Sequence, residues 1–304
     1  MSNKFSLSDE IEINPDNLKK AEINWFPGHM AKAIREIKEK LKMVDIVIEV
    51  RDARVPLASS NRSLDEILRQ KNHLIVFNKT NLADPEKVKL WHNYFLKNNE
   101  NFMFVDCFDK SQMKKMLTVA RKLVNDKKKQ SNPDTHVFKP KIKMMIIGLP
   151  NTGKSTIINQ LANKNAVKAA NKPGQTVVQQ WIVVDKDLEL LDTPGVMPPK
   201  IVKEEHGLWL SAINAIPDDV VGEERPARFL IEYFKSLDSN EFKTRYSLES
   251  LDLGIDEILD KIAIKRGCIK QKGLPDHERV YKLILIDFRS GALGKCCFGQ
   301  PPVR

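Results

Sequence analysis

The stretch Gly148-Leu-Pro-Asn-Thr-Gly-Lys-Ser155 fits the spacing G-x-x-x-x-G-K-[ST] of a phosphate-binding loop. Glycines at that spacing let successive backbone N–H groups turn inward on phosphate oxygens, and a helix opening there adds its N-terminal dipole. On this reading Lys154 reaches the β- and γ-phosphates and the Ser155 hydroxyl ligates magnesium. Pro150, Asn151, Thr152, Gly153 and Thr156 complete the cradle. A chance glycine turn before a helix is the competing reading, and a second motif weighs against it. Asp192-Thr-Pro-Gly195 closes the apolar run Leu188–Leu191. A carboxylate at such a strand end holds magnesium through water, and a glycine three residues on offers its N–H to a γ-phosphate. Between the two motifs, Pro173-Gly-Gln-Thr176 carries a threonine placed to close over the metal when the third phosphate is present.

A third motif stands out of order. Asn78-Lys-Thr-Asn81 resembles N-K-x-D, with which GTPases read guanine, yet it precedes the phosphate loop instead of following it. Read circularly, the usual order returns, and the run Phe102–Val105 leads to Asp106-Cys107-Phe108, where a guanine-contacting loop is expected. Such a permutation is physically easy when the original termini lie close together at a surface. Asn81 departs from the motif. An aspartate accepts from both N1–H and the exocyclic amine of guanine, whereas asparagine presents one acceptor and one donor. Guanine recognition is therefore expected to be weaker than usual, unless Asp84 swings in or the Cys107 loop compensates.

The elements that must hold these motifs alternate. Met30, Ile34, Ile37, Leu41 and Val44 recur at helical steps after Gly28. Asp45–Val50, His73–Phe77, Phe102–Val105 and Lys143–Ile147 read as buried strands, with helical stretches around 63–70, 86–96 and from Gly153. Trp181–Leu191 reads as a hairpin broken at Lys186-Asp187, and the polar stretch Lys127–His136 reads as a surface linker. Beyond Pro199 only helical patterns follow: 208–216, 227–237, 256–265 and 277–288. Alternating strands and helices followed by helices alone predict an α/β domain with a parallel sheet and then an all-helical domain. The boundaries are an N-terminal extension over 1–24, a nucleotide-binding domain over 25–203 and a helical domain over 204–304.

Composition bounds the rest. The 304 residues carry a formal charge of +10 and four cysteines, Cys107, Cys268, Cys296 and Cys297, none in metal-ligand spacing. A reducing cytoplasm is the simple expectation. The acids among residues 1–24 fit neither a secretory nor a mitochondrial leader, and no apolar run reaches membrane-spanning length. The basic excess implies a polyanionic partner or a solvated face. It concentrates at Lys261, Lys265, Arg266, Lys270, Lys272, Arg279, Lys282, Arg289 and Lys295, where only Tyr281, Phe288 and Phe298 could stack on bases, so contacts to the phosphate backbone are expected to dominate.

Trp25-Phe-Pro-Gly-His-Met30, Arg51-Asp-Ala-Arg54, the permuted order and the helical tail together resemble the YlqF/RbgA family of ribosome-assembly GTPases, over about Trp25 to Gly294. The resemblance implies a circularly permuted P-loop GTPase domain, with a mostly parallel six-stranded sheet, followed by an RNA-binding helical domain. It implies GTP hydrolysis late in large-subunit assembly, with GTP or GDP, the large ribosomal subunit and its rRNA as partners. A monomer with no membrane or DNA partner is the expected state. Rivals are a P-loop NTPase in another RNA-linked process and a slow-turnover RNA-binding switch. Val196 and Met197 follow Gly195 where many GTPases carry a catalytic glutamine, so some other group must orient the attacking water. The resemblance assigns that task to His29; a helix N-terminal histidine satisfied by backbone or solvent is the alternative. Asn151 stands where many GTPases ligate potassium beside the phosphates, or else it caps its turn. Asp52 in the Arg51–Arg54 motif reads as structural. The cofactors expected are Mg2+ and, through Asn151, K+.

Overall fold

The computed structural model describes residues 28–61, 64–131, 141–162, 181–198, 201 and 203–302. The extension 1–24, Trp25–Pro27 and Pro173–Thr176 lie outside the described residues, as does the side chain of His29. The chain divides into two compact units.

The first unit is built on a six-stranded sheet. Its strands are β1 (Ile46–Asp52), β2 (Asn72–Asn78), β3 (Phe102–Phe104), β4 (Ile142–Gly148), β5 (Trp181–Asp185) and β6 (Leu188–Leu191). Their order is β3-β2-β1-β4-β6-β5, and every neighbouring pair is parallel except the β5–β6 hairpin. The strands read as unbroken apolar runs because helices cover both faces of a parallel sheet. The chain runs outward from β1 to β3, then returns to the centre for β4. The direction of strand order therefore reverses between β1 and β4, and ligands of such sheets bind outside the carboxyl ends of the strands at that point. Register aligns those ends: Val50 lies opposite Gly148, and Asp52 opposite Asn78.

Among the described residues, the helices of this unit are α1 (Gly28–Lys40), α2 (Asp65–Leu68), α3 (Pro85–Lys97), α4 (Lys110–Ser131) and α5 (Lys154–Leu161). Met30, Ala33 and Ile37 of α1, with Leu41 and Val44 beyond it, form one buried stripe. The structure corrects the linker expected over Lys127–His136, because α4 continues through Lys127–Lys129 to Ser131. Its buried Met113, Met116, Leu117, Ala120 and Val124 recur at helical spacing. Lysine is a good helix former and is favoured in the last turn by the helix dipole, so a lysine run does not end a helix. Arg121 fastens α4 to the β5–β6 turn through Asp185 and Asp187.

The second unit gathers Lys203–Ile213 and Pro217–Gly294. It holds α6 (Glu204–Ala212), α7 (Asp218–Val221), α8 (Glu224–Ser236), α9 (Asn240–Tyr246), α10 (Ile255–Arg266) and α11 (His277–Ser290). Charges tie it internally. Arg289 donates to both oxygens of Asp218 and to the carbonyls of Ser211 and Ala212, and Arg245 pairs with the buried Asp287, which also accepts from Tyr246 Oη at 3.0 Å. Asn214–Ile216 and residues 295–302 group with the sheet unit. Among the described residues, no helix is long and apolar enough to cross a membrane.

Candidate nucleotide-binding site

The phosphate loop leaves β4 under steric constraints that select its glycines. Gly148 has φ +149°, and a Cβ there would lie 2.3 Å from the carbonyl oxygen of Val50 on the neighbouring strand. Gly153 has φ +99°, and a Cβ there would lie 2.2 Å from Asn78 Nδ2. The motif glycines are thus required by neighbouring strands as much as by the turn. Gly195, from the loop after β6, packs so closely that a Cβ would stand 2.9 Å from Pro150 Cα. The loops of Gly148–Ser155 and Asp192–Gly195 are therefore in contact, as the sequence order required.

Asn78 is the hub of the site. It is fully buried; its Oδ1 accepts from Cys107 N at 3.2 Å and its Nδ2 donates to Thr152 O at 3.1 Å. One amide thus ties the guanine-motif loop, the Asp106–Phe108 loop and the phosphate loop together. Lys79 follows in the left-handed region at φ +64°. Its Nζ donates to Asn151 O at 2.6 Å and lies 3.0 Å from Asp52 Oδ2. Asp52 accepts from Arg54 N, Nε and Nη2 at 3.0, 3.0 and 2.8 Å. Both residues are buried. Burial alone would raise the Asp52 carboxyl, but the charges of Arg54 and Lys79 outweigh it and hold the group well below the usual carboxylate range. The structural role read for Asp52 acquires a specific form: it orients Lys79.

Lys154 is buried, and its Nζ donates to Leu149 O at 2.7 Å within its own loop. Burial lowers its ammonium to about 8, with Asp192 acting against that and Lys79 adding to it. Asp192 in turn is raised by burial and opposed by Lys154. Lys79, Arg54 and Lys154 stand against the two carboxylates of Asp52 and Asp192, a positive excess that an anion would neutralise. Ser155 is exposed on the first turn of α5, and Thr156 half-exposed beside it. Among the described residues, no group of three or more His, Cys, Asp or Glu side chains could hold a metal. Ser155 and Asp192 supply oxygen donors only, which suits a hard cation completed by phosphate oxygens and water. Thr176, the third expected ligand, lies outside the described residues.

Asn81 is exposed in the turn Thr80–Leu82. Asp84, considered as its stand-in, caps α3, accepting from Glu86 N at 2.8 Å and Lys87 N at 3.3 Å. Both bonds go to Oδ1, which turns the carboxylate onto the helix end. Val196 and Met197 are buried. Val196 N donates to Gly148 O, Asn61 Nδ2 donates to Val196 O at 3.0 Å, and Met197 N lies 3.4 Å from Met30 Sδ. The start of α1 therefore abuts the loop that lacks a glutamine, and His29 immediately precedes Met30. Asn151 has φ +57°, and its Nδ2 donates to Asn214 O at 2.6 Å. Asn61 and Asn214 escaped the sequence reading because neither belongs to a motif; only the fold brings them to these loops.

Together, the sheet and its loops define a P-loop nucleotide-binding domain in which the guanine motif is supplied from upstream of the phosphate loop. The family described as 50S ribosome-binding GTPase matches residues 143–225, the part holding the phosphate loop and Asp192–Gly195 in linear order. Ribosome biogenesis GTPase A from Bacillus cereus is 39% identical over 280 residues, covering 92% of this chain and 94% of its own length. Mitochondrial ribosome-associated GTPase 1 from Mus musculus is 34% identical, covering 89% and 88%. The crystal structure of GNP-bound YlqF from T. maritima superposes with a TM-score of 0.64 at 28% identity, over 89% of this chain and 98% of that one. The chain belongs to the ribosome biogenesis GTPase A (YlqF/RbgA) family.

Proposed function

We propose that this chain hydrolyses GTP to GDP and phosphate as an assembly factor for the large ribosomal subunit. The observation that carries the reading is the convergence of the Asn78, Gly148–Ser155 and Asp192–Gly195 loops at one end of a parallel sheet. Backbone N–H groups of Asn151–Ser155, leading into the start of α5, take the phosphates, and Lys154 Nζ exchanges the Leu149 carbonyl for their oxygens. Asn78, Lys79, Asn81 and Cys107 face the guanine side. Ser155 and Asp192, with Thr176, hold magnesium, which would offset charge on the β- and γ-phosphates. The N–H of Gly195 is offered to the γ-phosphate. The buried Val196 and Met197 give the attacking water no partner, so His29, next to the Met30–Met197 contact, orients it. Asn151 turns Nδ2 to Asn214, which leaves Oδ1 as an acceptor for K+.

The helical unit supplies exposed Lys265, Arg266 and Lys272 toward rRNA phosphates. Arg289 is engaged with Asp218, and Tyr281, Phe288 and Phe298 are buried, which supports contacts to the phosphate backbone over base stacking. The bacterial relatives support a cytoplasmic site of action. The test is phosphate release with and without 50S particles, together with a pull-down using a non-hydrolysable GTP analogue. Stimulated release and recovery of large-subunit rRNA are expected. Particle binding without turnover would leave a slow RNA-binding switch instead, a reading to which the apolar Val196 and Met197 lend some support.

A further inference from the structure

The last described residues run as a strap across the sheet unit to which they belong. Cys296 N donates to Leu82 O at 3.2 Å, and Cys296 O accepts from Asp84 N at 3.3 Å. Cys297 O accepts from Lys87 Nζ at 2.9 Å, and Cys297 Sγ lies 3.4 Å from Ala53 O. Phe298 N donates to Arg54 O at 2.7 Å. Cys296, Cys297 and Phe298 are at most 3% exposed, and Cys297 packs with Ala53, Phe77, Ala83 and Trp91. Burial pushes the Cys296 thiol up to about 12, so it sits there as a neutral apolar group.

These contacts fall on the two segments that set the base side of the site. Leu82 ends the turn that carries Asn81 and Asp84 follows it, and Ala53 and Arg54 continue the strand whose Asp52 pairs with Lys79. Thr80 is fixed from the other side, by Val105 O. A turn of three residues with an exposed Asn81 has little packing of its own, and the strap supplies backbone pairing along its far edge. We propose that Lys295–Pro301 is a positioning element for guanine recognition, holding the Lys79–Asn81 turn and the Asp52–Arg54 segment in register while the phosphate loop is formed without it. The strap supplies backbone order at a place where Asn81 offers weaker base recognition than an aspartate.

This inference rests on the guanine-nucleotide reading of the same site. Its test compares the full chain with a chain ending at Gly294 and with Lys87→Met, which removes the donor to Cys297 O. GDP, XDP and inorganic tripolyphosphate are titrated calorimetrically, and folding is checked by thermal unfolding and circular dichroism. Loss of the strap is expected to weaken GDP binding about tenfold or more through faster dissociation, with tripolyphosphate affinity within about twofold. Lys87→Met is expected to move GDP dissociation the same way by a smaller factor. Unchanged GDP dissociation in the folded truncation overturns the proposal, and so does an equal loss for GDP and tripolyphosphate. If the truncation does not fold, Lys87→Met decides: unchanged GDP binding overturns the role. A folded full-length chain that fails to bind GDP would instead overturn the guanine reading itself.

Discussion

At the scale of single residues, Lys154 and Asp52 show how burial and neighbouring charge set the site's behaviour. Lys154→Ala should abolish tight triphosphate binding while the protein stays folded; unchanged affinity in a folded variant would disprove the loop assignment. Lys154 also makes binding depend on pH. Its free-state value near 8 lies below that of an exposed lysine, and phosphate oxygens favour the charged form, so the bound value is higher. Affinity should be full below pH 8 and fall as pH rises above it, with proton uptake on binding. Calorimetry at pH 8.5 in buffers of different ionisation enthalpy reads that uptake directly. Asp52→Asn should cost about 3–5 kcal/mol, because it leaves Arg54 buried without its counter-charge. The Asp52 carboxyl is lowered in the folded state, so its contribution is present above the unfolded value and lost as pH falls through the acid range. Urea unfolding of wild type and variant across that range checks both statements. At Asn81, Asn81→Asp should raise GTP affinity about ten- to a hundredfold, the worth of one charge-assisted bond. Titration of GTP and XTP into both proteins decides it: a strong wild-type preference for GTP with no gain in the variant would remove Asn81 from base reading.

At the scale of elements, strand ends do the positioning and helices follow. Asp52, Asn78, Gly148 and Asp192 all occur at or just past the carboxyl ends of parallel strands, so the register of β1 against β2 and β4 places them together. The start of α1 is the other decisive element. Its stripe of Met30, Ala33 and Ile37 buries one face, which brings the N-terminal turn to Met197. His29→Ala should lower particle-stimulated hydrolysis by roughly 10²–10⁴, the range for a positioned acid–base group, and leave GDP affinity nearly unchanged. Normal stimulated turnover in that variant would return His29 to the solvent-satisfied alternative. The cap on α3 follows the same logic: Asp84 Oδ1 is held by two N–H groups of the first turn.

At the scale of the whole molecule, the +10 charge is the property with the widest reach. Binding to large-subunit particles should weaken steeply with salt, because each neutralised phosphate releases counterions. Substituting Lys265, Arg266 and Lys272 together should lessen that slope, as sedimentation with 50S particles at two salt concentrations would show; an unchanged slope would move the rRNA contacts elsewhere. The nucleotide motifs, their permuted order and the alternation of strands and helices were legible in the sequence alone, because backbone geometry at a phosphate cradle and two-sided burial of a parallel sheet each demand particular residue types at short range. The strand order and the meeting of the Asn78, Gly148 and Asp192 loops needed the fold, since parallel pairing joins segments distant in sequence. So did the engagement of Asp84 as a cap, of Asp52 as the partner of Lys79, and of Lys295–Pro301 as a strap. These roles belong to carbonyls, caps and buried ion pairs, which almost any local sequence can supply; what selects them is which segments the tertiary packing brings within hydrogen-bond distance.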